Sequence, residues 1–252
     1  MKPTRFRIRV WGNFACFTRP EMKVERFSYP IITPSAARGI LDAIYCKPIK
    51  FRWQLVKVEM LKPPRYIALR RNEVKERAPA ERTIRQWAEG TAQPQPILAD
   101  ADADITGSQD KGRTQRQTMA LKDVSYRIHA EIRPWPGFEN ELPALEAQFE
   151  RRASRGQAFY QPYLGCREFP ASFELCPEHE TDPQPYPIDM NVGWMLYDVF
   201  DLSQPGKPNA PTFITVFEAR IVNGVMEIPE FQSSHVKKPP RSAGSVQEVT
   251  EL

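Results

Sequence analysis

The chain has 252 residues, 41% of them apolar, which suffices for one domain or for a main domain with a small companion, and we expect the second. A mean hydropathy of −0.53 and the absence of any apolar run near the roughly 18 residues that span a bilayer argue against a membrane protein. The formal net charge of +4 is modest for this length, so total charge alone does not identify a nucleic-acid-binding protein.

The N-terminal segment predicts a strand with one apolar and one basic face. Its start, MKPTRFRIRVW, has no continuous apolar stretch behind the basic residues, so we expect no signal peptide and a cytoplasmic location. The alternation that indicates the strand sets Phe6, Ile8 and Val10 against Arg5, Arg7 and Arg9. One face is therefore expected in the core.

A helix is predicted next. Thr33 followed by Pro34 is a typical helix start, because proline at the first helical position loses no hydrogen bond. Apolar residues then recur at helical spacing, at Ala37, Ile40, Leu41 and Ile44. The helix must end near residues 46–47, ahead of Pro48, which places Tyr45 in its last turn.

Two strands and a long irregular segment follow this helix. Apolar residues alternate with charged ones over residues 56–60, the Pro63-Pro64 pair ends that strand, and we expect another short strand at residues 66–74. Between residues 75 and 113, charges and prolines give no sustained period. Such an excursion is either functional or a disordered surface insertion, and the sequence leaves both possibilities open.

Regular structure resumes with a half-buried strand from Val124 to Ile132, in which His129 falls on the polar side and is expected to be solvated. A second helix begins around Pro143 and has Gly156 as its C-cap. Its apolar face is Leu142, Leu145, Phe149 and Ala153, and Arg151, Arg152 and Arg155 lie near its end. The order strand, helix, strand, strand, helix, strand predicts an α+β protein with a ferredoxin-like domain, an architecture shared by many RNA-recognition modules.

After Gly165 the sequence predicts a small antiparallel β region. The expected strands are 171–175, 192–200, 213–222 and 225–228. Asn223-Gly224 supplies the positive φ angles of a type I′ turn, so the last two strands should form a hairpin. The expected division is a domain at 1–165 with a thumb-like insertion at about 75–113, a β region at 166–230 and a flexible tail at 231–252.

Arginine clusters, interleaved with Trp11, Tyr66 and Trp87, suit a chain that grips phosphates and stacks bases, although each cluster alone is more often a solvated surface. There is no GxxxxGK[ST] loop and no HExxH, GxSxG or DFG-like motif, so ATPase and common hydrolase functions have no support. The four cysteines lack CxxC spacing, and His129, His179 and His235 lack ligand spacing. We therefore expect no metal, no disulfide and no cofactor.

Four blocks of the chain resemble the Cas5 proteins of type I-C CRISPR systems. They are PSAARGIL followed by IYCKP, then RRNEV, then LKDVSYRI, and finally RGQ followed by YLGCREFPASFEL. The resemblance runs from residue 6 to about residue 175, while the 75–113 insertion and the tail carry little of it. The first and last blocks are far more restrictive than a lone glycine motif.

The resemblance implies an RNA function with two parts. Members of the family bind the repeat-derived 5′ handle of the CRISPR RNA (crRNA) at one end of an interference complex, beside its backbone and large subunits, and meet target DNA only indirectly. In type I-C systems they also cut the precursor (pre-crRNA) without a metal, through attack of a ribose 2′-OH on the adjacent phosphate. Such an enzyme must orient that hydroxyl, help to remove its proton and stabilise transition-state charge.

The family's active-site tyrosine corresponds to Tyr45 in the block AIYCKP. Because a phenol has a pKa near 10, it would need a nearby Lys or Arg to act as a base, or it could simply position the hydroxyl. The family also has an adjacent Lys-His pair, and at the matching place this chain has Ala144-Leu145. That departure removes an ammonium and an imidazole from the expected site.

Three accounts of the missing pair remain open. Another cation such as Lys47, Arg151 or Arg152 substitutes, the tyrosine alone gives slow cleavage, or the protein only binds and caps RNA that another enzyme has cut. We expect retained cleavage, and a generic protein-interaction module is a further alternative that predicts no tight, salt-dependent RNA binding. The expected RNA-binding residues are Arg38, Lys47, Arg70, Arg71, Arg113, Arg116, Arg151, Arg152, Arg155 and Arg167, and the insertion is expected to reach over RNA or toward neighbouring subunits.

Overall fold

The computed structural model describes residues 3–22, 24–99, 103–107, 111–176, 183–207 and 210–240. It is a mixed α/β structure with largely antiparallel sheets and few helices, which confirms the predicted class at that level. The strands are β1 Arg5–Ala15, β2 Arg26–Phe27, β3 Phe51–Met60, β4 Tyr66–Val74, β5 Arg113–Pro134, β6 Ser172–Leu175, β7 Met190–Asp198, β8 Thr215–Ile221, β9 Val225–Glu227 and β10 Val236–Lys237. The helices are α1 Pro34–Ile44, α2 Glu81–Ala88, α3 Ala103–Thr106 and α4 Leu142–Ser154. Within the described ranges, no helix combines the length and the apolar character needed to cross a bilayer.

The larger sheet has the strand order β6-β1-β5-β3-β9, and β2 and β4 pair with the long strand β5 outside this path. Strands β1 and β3 both pair with β5 in antiparallel register, so β5 lies at the centre of the sheet. The smaller sheet has the order β10-β8-β7. Helix α1 contacts both β3 and β7, and it therefore connects the two sheets.

Helix α1 forms as its sequence predicts. The Thr33 hydroxyl accepts a hydrogen bond from the backbone N–H of Ala36 at 3.2 Å, which caps the first turn. All four predicted apolar positions are buried. The helix ends at Ile44, two to three residues earlier than expected, because Tyr45 has extended φ and ψ angles and serves as the C-cap.

The main core lies between α4 and the apolar face of the larger sheet. The Phe149 ring packs edge-on against Phe6 and Trp53, with ring centroids 4.7 and 4.6 Å apart. The predicted apolar face of α4 is confirmed, since Leu142, Leu145, Phe149 and Ala153 are all buried. This packing places the last turn of α4 beside the end of α1, where Arg152 Nε donates to the Ile44 carbonyl.

The polar face of the same sheet holds a buried charge cluster, and it corrects the expectation for His129. The imidazole is only 5% exposed and its Nε2 lies 3.0 Å from Glu59 Oε1. Glu59 also pairs with Lys57, at 2.8 Å, and with Arg127, whose Nη2 donates to the Pro183 carbonyl at 2.9 Å. His129 does lie on the polar side of its strand, but neighbouring charged side chains and the segment from residue 183 cover that side.

We expect the free energy of unfolding to fall as pH is lowered from 7 to 5. Burial lowers the pKa of His129 below its usual value near 6.5, against the opposing effect of Glu59, so the unfolded chain binds the proton first and stability is lost as pH falls. Burial alone would raise the pKa of Glu59, but His129 and Lys57 hold it below its usual value, so its contribution is lost below about pH 4.3.

Urea unfolding curves at pH 7, 6 and 5 measure this dependence. The His129→Gln variant keeps a hydrogen-bond donor near Glu59 but cannot be protonated, so its unfolding free energy should change less over this interval. A variant that loses stability as steeply as the original chain would show that the acid sensitivity arises elsewhere.

The 75–113 insertion extends the β4–β5 hairpin as an arm. The hairpin register runs from Tyr66 opposite Leu121 to Val74 opposite Arg113, and α2 and α3 lie between the two strands in sequence. The predicted strand at residues 66–74 is thus confirmed, while the α2 helix went unpredicted because its residues have no buried face. Exposed apolar side chains of the arm include Ile84, Ile97, Leu98 and Ile105.

The C-terminal part of the chain is more closely joined to the larger sheet than the sequence predicts. The Asn223-Gly224 turn has the expected positive φ angles, 48° and 76°, but β9 then pairs with β3 and does not form a long hairpin with β8. Met226, fully buried beside β3, supplies the reason. Strand β6 pairs with β1, so two strands from beyond residue 165 belong to the larger sheet.

The expectation of a loose tail from residue 231 is wrong for residues 231–240. The Phe231 ring is fully buried and lies 5.9 Å from the Tyr197 ring, and β10 pairs with β8. Polar residues surround these isolated apolar positions, which explains why no periodicity marks them. Residues 241–252 lie outside the described part of the chain.

Candidate active site and nucleic-acid interface

Tyr45 lies at the junction of α1, α4 and β3. Its backbone N–H donates to the Leu41 carbonyl at 2.8 Å, and its own carbonyl accepts from Trp53 Nε1 at 3.1 Å. The phenol ring packs against Phe51, with centroids 5.5 Å apart, and the residue is 6% exposed. Backbone and ring are therefore both held in place, as a group that must orient a substrate requires.

Two cations and one carboxylate act electrostatically on the phenol, and with Tyr45 they form what we call the Tyr45 cluster: Tyr45, Lys50, Glu141 and Arg152. Lys50 Nζ lies 2.7 Å from Glu141 Oε2. Arg152 Nε donates to the Ile44 carbonyl at 2.6 Å, which ties α4 to the last residue of α1. The cluster thus offers a hydroxyl, two positive charges and a proton acceptor.

The phenol of this cluster remains protonated at neutral pH. Burial raises the pKa of Tyr45, and Glu141 raises it further, while Lys50 and Arg152 lower it by less. The nearby cations that a tyrosine base would need are present, but the effect of burial exceeds theirs. At neutral pH the phenol is therefore not ionised, and its O–H can donate a hydrogen bond.

Ala144-Leu145, at the place of the expected Lys-His pair, lies in the first turn of α4. Leu145 is 4% exposed and belongs to the core, and Ala144 is exposed. The positive charge near Tyr45 comes instead from Lys50 and Arg152. Arg152 was predicted as a possible substitute, whereas Lys50 was missed, because nothing in the sequence brings the first turn after Pro48 next to α4.

The other predicted cations of this region differ in whether their charge is available to bind a phosphate. Lys47, Arg151 and Arg155 are exposed. Arg38 is engaged: its Nε and Nη2 donate to Asp198, at 2.6 and 3.0 Å, and its Nη1 donates to Asp42 at 2.5 Å. Since two carboxylates surround one guanidinium, Arg38 joins α1 to β7 and offers little net charge to a phosphate.

The remaining predicted arginines gather at the base of the arm. Arg71 and Arg116 face each other across the β4–β5 hairpin, where Arg71 pairs with Glu168 and Arg116 with Glu73. The Arg71 guanidinium also lies 4.9 Å from the Phe169 ring. Arg70, Arg113 and Arg167 are exposed. The predicted residues thus divide between two places: the helices α1 and α4 with the turns that follow them, and the base of the arm.

Two exposed aromatic residues were missed by the sequence analysis, although RGQAFYQPYLG was among the blocks that carried the resemblance. Phe159 is 69% exposed and Tyr160 is 52% exposed. The Phe159 N–H donates to the Ala43 carbonyl at 2.7 Å, and the Arg152 guanidinium lies 4.5 Å from the Phe159 ring. Exposed rings beside arginine are a typical stacking surface for unpaired bases.

Gly165 holds the same loop against β1. Its φ angle is +84°, and a Cβ at this position would lie 2.1 Å from the Cys16 carbonyl oxygen, so only glycine fits. The Cys16 N–H donates to the Leu164 carbonyl at 3.0 Å. The exposed rings are therefore carried by a loop with a fixed position.

Among the described residues, no group of three His, Cys, Asp or Glu side chains has an arrangement that could hold a metal ion. His235 is exposed, and His179 lies outside the described residues.

The fold and the Tyr45 cluster define an α/β protein with a basic, aromatic surface, and comparison with known proteins assigns its family. The family described as CRISPR-associated protein (Cas_Cas5) matches residues 6–238. The chain therefore belongs to the Cas5 family of CRISPR-associated proteins, in its type I-C branch, and the predicted resemblance is confirmed.

Two curated relatives carry the name CRISPR pre-crRNA endoribonuclease Cas5d. The protein from Mannheimia succiniciproducens is 39% identical over 242 residues, which cover 93% of this chain and 99% of the relative. The protein from Thermus thermophilus is 38% identical over 240 residues, which cover 89% of this chain and 91% of the relative.

Two solved structures share the fold. One, described as a CRISPR-associated protein, has a TM-score of 0.60 at 20% identity and covers 94% of this chain and 100% of that chain. The other, a functionally uncharacterized protein from Streptococcus mutans, has a TM-score of 0.59 at 19% identity and covers 93% and 97% of the two chains.

Proposed function

We propose that this chain is an endoribonuclease that cuts pre-crRNA within the repeat and remains bound to the resulting 5′ handle as a subunit of a type I-C surveillance complex. The names of the two curated relatives support the activity. The observation that carries the proposal is the Tyr45 cluster, because it supplies the groups that this reaction needs in a chain that lacks the Lys-His pair.

The reaction is a transesterification within the RNA. The 2′ oxygen bonds to the adjacent phosphorus, the bond from phosphorus to the 5′ oxygen breaks, and the products are a 2′,3′-cyclic phosphate and a 5′-hydroxyl. Glu141 accepts the proton of the 2′-OH, directly or through water, and solvent protonates the leaving oxygen. The Tyr45 O–H donates to a non-bridging phosphate oxygen, and Lys50 and Arg152 stabilise the charge that develops there.

A ferredoxin-like arrangement of the larger sheet is part of the proposal. Its elements follow the order β1, α1, β3, β5, α4, β6, and the central strands have the antiparallel order β6-β1-β5-β3. Both features support an RNA-recognition architecture in which α1 and α4 carry the chemistry.

The RNA path is proposed to run from the Tyr45 cluster over Phe159 toward the base of the arm. Exposed arginines near both places support this path, since phosphate contacts from Lys and Arg dominate affinity for nucleic acids. The residues proposed to contact RNA are Lys47, Arg70, Arg113, Arg151, Arg152, Arg155 and Arg167.

The arm itself is proposed to contact a neighbouring protein subunit. Residues 75–112 contain seven acidic and five basic side chains, which does not suit a phosphate backbone. Ile84, Leu98 and Ile105 are exposed on it, and exposed apolar side chains favour contact with protein.

Removing residues 75–112 and joining Val74 to Arg113 through a Gly-Ser turn tests the role of the arm. These two residues are register partners, so a short turn can close the hairpin. We expect RNA affinity to stay within about threefold and its salt dependence to persist, while co-purification with the backbone subunits is lost. A loss of RNA affinity of about tenfold or more, with assembly intact, would instead assign the arm to RNA.

The activity is tested by incubating the protein with its cognate repeat RNA in EDTA and reading the product ends. Cleavage at one position that leaves a 2′,3′-cyclic phosphate supports the proposal. A second candidate function, binding and capping of the 5′ handle without cleavage, is favoured by Ala144-Leu145 alone. Tight, salt-dependent binding without product would establish it in place of the first.

A further inference from the structure

A cavity of about 480 Å³ lies beside the Tyr45 cluster, between α1, the start of β3 and the segment 199–206. Its size lies within the roughly 300–1,000 Å³ of typical small-ligand sites. Aromatic side chains form much of its wall, namely Trp135, Tyr160, Tyr163 and Phe200. Tyr160 and Phe200 are 52% and 51% exposed, which leaves their rings open to a planar ligand.

The polar part of the wall holds the carboxylates of Asp42 and Asp201 and two guanidiniums that are already engaged. Arg52 donates to Gln54 at 2.6 Å and to Gln232 at 3.3 Å. Arg38 lies between Asp42 and Asp198, and its guanidinium is 5.1 Å from the Phe200 ring, so its charge is already neutralised. Asp42 lines the cavity with a partly exposed side chain. Burial, with Asp42, raises the pKa of the Cys46 thiol to about 12, so that thiol stays protonated and donates to the Asp42 carboxylate.

The cavity adjoins the Tyr45 cluster, because two of its lining residues are direct neighbours of Tyr45. Cys46 and Phe51 both line it, and Tyr45 precedes the first and stacks on the second. When a phosphate is bound at the Tyr45 cluster, the base of an adjacent nucleotide is therefore close enough to reach the cavity. Flexible nucleotides at a cleavage site readily turn a base out of the stack into such a pocket.

We propose that this cavity receives one base of the bound RNA next to the scissile phosphate, and that the base is guanine. The placement rests on the proposed function, which puts the RNA at the Tyr45 cluster. Guanine presents N1–H and N2–H₂ side by side on one edge, and a carboxylate, which only accepts hydrogen bonds, can take both. The aromatic wall stacks on the face of the base.

A phosphate or an acidic ligand does not suit this cavity, because the carboxylates of Asp42, Asp198 and Asp201 in and beside it outnumber the guanidiniums of Arg38 and Arg52. Uracil offers one N–H on its pairing edge, and adenine and cytosine offer an amino group next to an acceptor that would face the carboxylate. Guanine presents two neighbouring N–H donors to the carboxylate, so no acceptor of the base faces it.

The test measures binding and cleavage separately for a set of repeat RNAs. Each nucleotide within three positions of the cut is replaced in turn by an abasic residue, and the guanosine at the sensitive position is then replaced by inosine, which lacks the 2-amino group. The chain is expected to lose about 5- to 100-fold in affinity at one abasic position. In Tyr160→Ala/Phe200→Ala that penalty should disappear, and in Asp42→Asn the discrimination between guanosine and inosine should disappear.

Trp194→Ala is the matched control, because it removes an equally exposed aromatic ring outside the cavity and should leave the abasic penalty unchanged. The RNA could be cleaved while no abasic position shows an affinity penalty that disappears in the double variant. That result would overturn the cavity proposal and leave the proposed nuclease activity standing. A position-specific affinity penalty without any cleavage would support the cavity and overturn the proposed activity. A penalty at a position that prefers another base would overturn the assignment of guanine.

Discussion

Tyr45→Phe is expected to slow cleavage of repeat RNA about 100- to 1,000-fold while RNA affinity changes by less than about twofold. The substitution removes only the phenol O–H, and the ring keeps its packing against Phe51. Single-turnover cleavage, with enzyme in excess over labelled RNA, measures the loss directly. Loss of rate with affinity retained is the signature of an interaction made mainly in the transition state.

The pH dependence of the cleavage rate in the same variant distinguishes two roles of Tyr45, that of a hydrogen-bond donor and that of a general base. Because burial raises the pKa of Tyr45 above its usual value near 10, the phenol keeps its proton from pH 6 to 9 and its donor function should not titrate in that range. A rate that increases tenfold per pH unit in the original chain but not in Tyr45→Phe would identify a phenolate base. A loss of less than about fivefold in the variant would remove Tyr45 from the chemistry.

Arg152→Gln is expected to lower the cleavage rate about 100-fold, because it removes a fixed positive charge from the developing negative charge of the phosphate. Arg151→Gln is the matched control, since it lies next to Arg152 in α4, is exposed, and changes the net charge equally. The control should lower RNA affinity by less than about threefold and leave the rate of bound RNA unchanged. Equal effects of the two substitutions on the cleavage rate would indicate a general electrostatic effect and no specific role of Arg152.

Arg152 also donates to the Ile44 carbonyl, so its loss could loosen the end of α1. The variant Arg152→Lys addresses this, because lysine restores charge without the guanidinium geometry. We expect Arg152→Lys to recover part of the cleavage rate. Thermal unfolding midpoints of both variants within about 3 °C of the original chain would exclude a general effect on folding.

The elements with strong local signals were predictable. The Thr33-Pro34 start and four apolar positions define α1, and the apolar face of α4 lies in the core as predicted. Alternation likewise located β1, the second half of β3 and the second half of β5. These elements depend on periodicity and capping, which neighbouring residues alone specify.

Other features depend on contacts between distant residues. His129 is covered by charged side chains from neighbouring strands, among them Glu59 of β3. Strand β9 pairs with β3, and the Met226 side chain is buried there. In the candidate site, Tyr45 and Arg152 were named from the sequence, but Lys50 and Glu141 join them only through the approach of α4 to β3. No local pattern encodes that approach.

Leu145 limits what a single substitution at the expected Lys-His position can add to the site. The side chain is buried among apolar neighbours, so a histidine there would place a polar ring in a packed core, at a cost of about 1–3 kcal/mol unless a partner is found. A change of this one residue therefore adds an imidazole only at the expense of the core, whereas the exposed Ala144 beside it can be replaced by lysine without that cost.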